Sequence, residues 1–155
     1  MECRIETRER LYVMGRAVRV HIGDGPNITT VPQFYDQCKD EGLFAAFESL
    51  PNRVDRNVVG WMDDWDPATR SFAYIIGVAV TGLDDVPEGW VTRTHPSSRY
   101  LVTVGRGELP QAIQGLGGPA NEAVKAQGLV RSGNFDFELY LPQCDDCAEY
   151  WIPIQ

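Results

Sequence analysis

The two halves of this chain carry the same order of signals, which limits it to a duplicated fold. Residues 11–20 form a strand-like run rich in Val and carrying Tyr12, closed by the turn-forming Gly23-Asp24-Gly25-Pro26. Thr30-x-x-Gln33 has the form of a capping box, in which a hydroxyl and an amide satisfy backbone donors at a helix start. Val31, Phe34, Tyr35 and Cys38 then recur at helical spacing. Gly42 breaks this helix, Leu43, Phe44, Phe47 and Leu50 continue it, and Pro51-Asn52 closes it. Residues 57–62 and 72–80 read as two strands joined by the polar turn Asp63-Asp64-Trp65-Asp66-Pro67. An extended connection over 81–93, carrying Pro87-Glu88-Gly89-Trp90, leads to a second round. That round comprises a strand at 99–105 and a helix opening at Leu109-Pro110-Gln111. The helix is interrupted by Gly117-Gly118-Pro119 and resumed over 120–127, and a hairpin of 135–141 with 149–154 follows.

The halves also share letters. Val31-Pro32-Gln33 matches Leu109-Pro110-Gln111, and Phe72-Ala73-Tyr74-Ile75-Ile76-Gly77-Val78 lies against Ala148-Glu149-Tyr150-Trp151-Ile152-Pro153-Ile154. Two β-α-β-β units, about residues 8–80 and 90–155, each short of core alone, would stack into one α+β domain. The helices are expected on one sheet face, with a groove formed by the duplicated sheet on the other. A chain of 155 residues buries roughly two-thirds of its unfolded surface and folds without a metal or disulfide staple.

Charge narrows the partners. Fourteen Lys and Arg against twenty-two Asp and Glu give −8, which repels phosphate backbones, so direct nucleic-acid binding is not expected. No apolar run reaches the ~18 residues of a membrane span, and the start lacks a secretory apolar stretch, which points to the cytoplasm. There Cys3, Cys38, Cys144 and Cys147 are expected mostly free.

Cys144-Asp145-Asp146-Cys147 has chelating spacing, but no second pair completes a zinc set, so a structural loop is expected. Asp63, Asp64 and Asp66 lack the glycine and distal Glu of a calcium loop. His21 and His95 lie near no nucleophile motif, and no cofactor or metal is expected.

The chemistry concentrates on the strand at 135–141. Alternation puts Phe135, Phe137, Leu139 and Leu141 on one face, expected under the helices, and Glu138 and Tyr140 on the other, expected in the groove. A carboxylate walled by rings is costly unless paired, and a hydrophobic cation supplies the pairing, with cation–π attraction of roughly 0.5–2 kcal/mol per ring. By the same alternation Trp151 points to the groove and Tyr150 to the helices, and Tyr74 shares the Tyr150 face as core. Trp61 and Trp90 are further candidate ligand-binding rings.

Val59-Gly60-Trp61, Phe72-x-Tyr74-x-x-Gly77-Val78-x-Val80, Val86-Pro87-Glu88-Gly89, Tyr100-x-Val102, Phe137-Glu138-Leu139-Tyr140 and the terminal Glu149-Tyr150-Trp151-Ile152-Pro153-Ile154 occur in a telling order. In that order the chain resembles the GyrI-like small-molecule-binding domains, which include the effector-binding domains of BmrR and of some AraC-type activators. The resemblance implies a duplicated β-α-β-β fold with a ligand groove between the repeats, which binds bulky apolar or cationic aromatic compounds in an aromatic pocket. The pocket's buried glutamate falls on Glu138. It implies multidrug sequestration or sensing, with no helix-turn-helix module expected beside the duplicated domain. Two alternatives come with it: hydrolysis of cyclopropane-bearing electrophilic toxins, with Glu138 as the catalytic carboxylate, and a protein partner such as DNA gyrase or a regulator.

Overall fold

The computed structural model describes residues 2–22, 30–109, 113 and 115–155; the turn expected at 23–26 and the helix opening at 110–111 lie outside them. In chain order the elements are β1 (Cys3–Arg8), β2 (Leu11–His21), α1 (Thr30–Asp40), α2 (Leu43–Glu48), β3 (Val58–Asp66) and β4 (Ser71–Val80). β5 (Val91–His95), β6 (Ser98–Arg106), α3 (Gly117–Ala126), β7 (Asp136–Tyr140) and β8 (Cys147–Ile154) follow.

All eight strands form one antiparallel sheet in the order β1-β6-β8-β7-β3-β4-β2-β5. The order is palindromic. Read from either edge, it runs first, second, fourth and third strand of a unit, with the two third strands, β3 and β7, meeting in the middle. Each unit's first strand pairs with the second strand of the other: β1 with β6, and β5 with β2.

This exchange dictates the shape. Glu9-Arg10 alone joins β1 to β2, and Pro96-Ser97 alone joins β5 to β6. Each link bridges at most about 11 Å between strand ends. In a flat sheet β1 and β2 would stand six spacings apart, about 29 Å. The sheet therefore curls into a half-barrel that brings its edges together.

Curling buries both faces. On the inner, helix-free face Trp61, Tyr100, Phe137, Leu139 and Trp151 pack with Val13, all at most 3% exposed. On the outer face Phe34 and Cys38 of α1 and Leu43 and Phe47 of α2 cover Met14, Ile76 and Val78. Ala120 and Val124 of α3 cover Leu101, Tyr150 and Ile152.

Several expectations change. The apolar face of β7 turns away from the helices, because the curled sheet supplies its own interior; Glu138 and Tyr140 stand on the helix-bearing face. β3 runs on to Asp66 instead of turning at Asp63, and β5 begins inside the supposed connection. Gly117-Gly118-Pro119 starts α3 after the turn at 115–116, since proline is tolerated in a first turn whose N–H groups need no internal acceptor. Cys144 and Cys147, expected free, are joined as a disulfide across the β7–β8 turn, while Cys3 and Cys38 are free.

Candidate functional site

Where the two units meet, register sets Gly60 opposite Glu138 and Glu138 opposite Tyr150, while Met62 lies opposite Tyr74. Glu138 is 91% buried. Its Oε1 accepts hydrogen bonds from the Tyr74 hydroxyl at 2.7 Å and the Tyr140 hydroxyl at 3.2 Å. A Cβ at position 60 would collide with the Tyr74 hydroxyl and stand 2.7 Å from Oε1, so only glycine leaves room for this pair to meet.

α1 adds Tyr35, whose ring meets Tyr140 edge-on at 5.8 Å and stacks on Phe44 of α2 at 6.1 Å. Tyr35, Phe44, Met62 and Tyr140 are all half-buried, so apolar and phenolic surface flanks the carboxylate.

Burial dominates the electrostatics. It raises Glu138 from the ordinary carboxyl range to about 7, against the two phenol bonds that favour its charged form. Burial likewise raises Tyr74, Tyr35 and Tyr140, and the charge of Glu138 adds to the rise in each. No arginine or lysine pairs with Glu138 among the described residues. Asp136, two residues away on the same face, is different: it accepts from the Tyr150 hydroxyl at 2.8 Å and is paired with Arg131. Arg131 is itself held by Asn121 of α3 at 3.0 Å. One carboxylate on this face has an internal cation and the other has none.

The sequence candidates separate. Tyr140 stands with Glu138, and so does Tyr74, which the sequence reading placed in the core; it is both buried and bonded to the carboxylate. Trp61 and Trp151 do not join them. They stack with Phe137 on the inner face, at 5.7 and 5.3 Å, which corrects their grouping with Glu138. Trp90 packs edge-on against Phe47 at 5.4 Å, in the cluster beneath α1 and α2.

Sequence reasoning missed Tyr35 as a site residue, because a helix stripe is read as core. It also missed Gly60, whose position inside a strand is a signal of close approach. Asp63 pairs with Arg93 and Asp64 with Arg19, both at 2.7 Å, so the acidic run is internally compensated. Among the described residues no group of three or more His, Cys, Asp or Glu is placed to hold a metal, and no helix is long and apolar enough to cross a membrane.

A family model described as an integron-associated effector-binding protein matches residues 4–154. A search of curated protein sequences gives no match. Among solved structures, the chain is similar to SAV2435 bound to tetraphenylphosphonium, with a TM-score of 0.80, 20% identity and coverage of 100% of this chain and 94% of that one. It is also similar to a transcription-regulation protein from Staphylococcus aureus MU50, with a TM-score of 0.74, 23% identity and coverage of 100% and 99%. An integron cassette protein of Vibrio cholerae gives 0.69, 22% identity and coverage of 99% and 95%. These likenesses show the fold, and the family model spans nearly the whole chain: the protein belongs to the GyrI-like group, in its integron-associated effector-binding family.

Proposed function

We propose that the outer-face site binds bulky aromatic cations, with Glu138 as counter-ion and Tyr35, Tyr74, Tyr140 and Phe44 as walls, so that the protein sequesters or senses such compounds in the cytoplasm. The observation that carries this reading is a buried carboxylate held by two phenols with no internal cation among the described residues. Keeping that charge inside is costly unless a cation arrives, and rings add cation–π attraction to one that does. The likeness to a structure solved with tetraphenylphosphonium supports the same reading.

Calorimetric titration with tetraphenylphosphonium tests it. Binding tighter than about millimolar, worth more than ~4 kcal/mol, is expected. Glu138→Gln should weaken it at least about tenfold, the effect of losing one desolvated charge partner. Because Glu138 titrates near 7, affinity should fall as pH drops from 8 to 6, where the carboxyl becomes neutral. No measurable heat at millimolar cation would overturn the proposal.

A hydrolytic reading uses the same group. A carboxyl near 7 is suited to general-base work, and among the described residues Oε2 carries no hydrogen bond. Ring-opened product from a cyclopropane-bearing alkylator, formed faster than in buffer and lost in Glu138→Gln, is its test by mass spectrometry.

A further inference from the structure

The three phenols around Glu138 are not equivalent. Tyr74 and Tyr140 both donate to Oε1, whereas the Tyr35 hydroxyl is wholly buried beside these two phenols and outside hydrogen-bond geometry with either. Its ring is fixed between Phe44 and Tyr140, and its hydroxyl stands near enough to Glu138 to feel the carboxylate's charge. Unpaired buried donors are rare in folded proteins, and leaving one unmade is destabilising. Two phenols already occupy Oε1, and the Tyr35 hydrogen bonds neither oxygen of the carboxylate.

We propose, resting on the cation-binding reading above, that Tyr35 makes the site selective for aromatic cations that also carry a neutral hydrogen-bond acceptor, such as a carbonyl, ether or hydroxyl oxygen, which the Tyr35 hydroxyl donates to. The effector class is then an oxygen-bearing aromatic cation rather than a purely hydrocarbon one. Glu138 recognises the charge, and Tyr35 recognises the oxygen.

The test compares tetraphenylphosphonium with a panel of triphenylphosphonium cations whose fourth ring bears an acetyl group at the 2, 3 or 4 position. Each is titrated calorimetrically into the wild-type protein and into Tyr35→Phe. At least one oxygen-bearing member should bind the wild type about tenfold tighter than the parent, and in Tyr35→Phe that ratio should fall to about one, whatever happens to the parent's own affinity. A ratio near one for every member in the wild type overturns the proposal, and so does a ratio that survives in Tyr35→Phe. Thermal melts of the ligand-free proteins add an independent readout. Removing an unpaired hydroxyl should raise Tm or leave it unchanged, and a lower Tm would mean the hydroxyl is partnered in the free protein, which also overturns the inference. If tetraphenylphosphonium binds and the panel shows no preference, only the Tyr35 inference fails. If no cation binds, the cation-binding reading fails first and takes this one with it.

Discussion

Glu138 and Glu149 sit on the paired strands β7 and β8, 9% and 7% exposed, and face opposite sides of one sheet. Glu149 is provided for from within. Arg4 donates to it at 2.6 Å and the Trp151 indole N–H at 3.1 Å. The guanidinium groups of Arg4 and Arg8 lie 5.9 and 5.2 Å from the centre of the Trp151 ring. This is the arrangement an aromatic-cage reading would assign to a ligand, but here the chain's own arginines occupy it. Glu138 has phenols and no cation. The same residue type with the same burial therefore serves structure where the fold supplies the counter-charge, and is the proposed cation site where the fold withholds it.

The largest expected effect separates the two sides. Trp151→Ala removes a ring stacked in the closed interior and should cost about 3–5 kcal/mol of stability, read as a large fall in Tm. The affinity of the folded fraction for tetraphenylphosphonium should be unchanged. A loss of affinity with little loss of Tm would place Trp151 in the site instead.

Next in size, Glu138→Gln should stabilise the protein at pH 8 by on the order of 3 kcal/mol, with the gain gone at pH 4. The sign follows from the raised pKa. Between about 4.5 and 7 the folded chain holds a proton that the unfolded chain releases, so stability falls as pH rises through that window. Denaturant melts at the two pH values check it, and equal gains at both would contradict the unpaired-carboxylate account.

Glu149→Gln should act oppositely, losing about 1–2 kcal/mol because Arg4 is left without its buried partner, and the loss should shrink in high salt.

The smallest effect is a cancellation. Burial on the inner face holds His95 down at about 4, so as pH falls from 6.5 towards 4 the unfolded chain takes a proton first and stability is lost. Glu138 gains stability over nearly the same fall. These two groups should leave the wild-type Tm nearly flat between pH 6.5 and 4.5, whereas Glu138→Gln should show the acid sensitivity of His95 alone. A Glu138→Gln curve as flat as the wild type would refute the pairing.

Much of this was legible in the sequence. The helix stripe, the central hairpins and the special status of Glu138 and Tyr140 follow from periodicity and from the cost of a ring-walled carboxylate. The faces were not legible, for a physical reason. Alternation tells which residues share a side but not what covers that side, and a sheet that curls onto itself buries both. Every residue of β8 is buried, so no polar face remains to mark the outside. β1 and β5 were missed because short edge strands such as Cys-Arg-Ile-Glu-Thr-Arg carry charge where an interior strand carries apolar residues. Tyr74 was read as core and Tyr35 as a helix stripe. Both readings describe the rings correctly but leave out the hydroxyls, whose partners depend on strand register and helix placement rather than on local pattern.

The exchange of first strands also sets an order of events during synthesis. β1 is made before every other strand of the sheet, yet its partner is Ser98–Arg106, so it stays unpaired until that strand has followed it. A waiting strand is an aggregation hazard, because its free backbone edge accepts any other extended chain. Arg4, Glu6 and Arg8 at alternate positions place charge along one side of that strand, and two of them later serve the inner face beside Trp151. Arg4, which pairs with Glu149 in the finished fold, and Arg8, which stands over Trp151, thus also put charge on the strand while it waits.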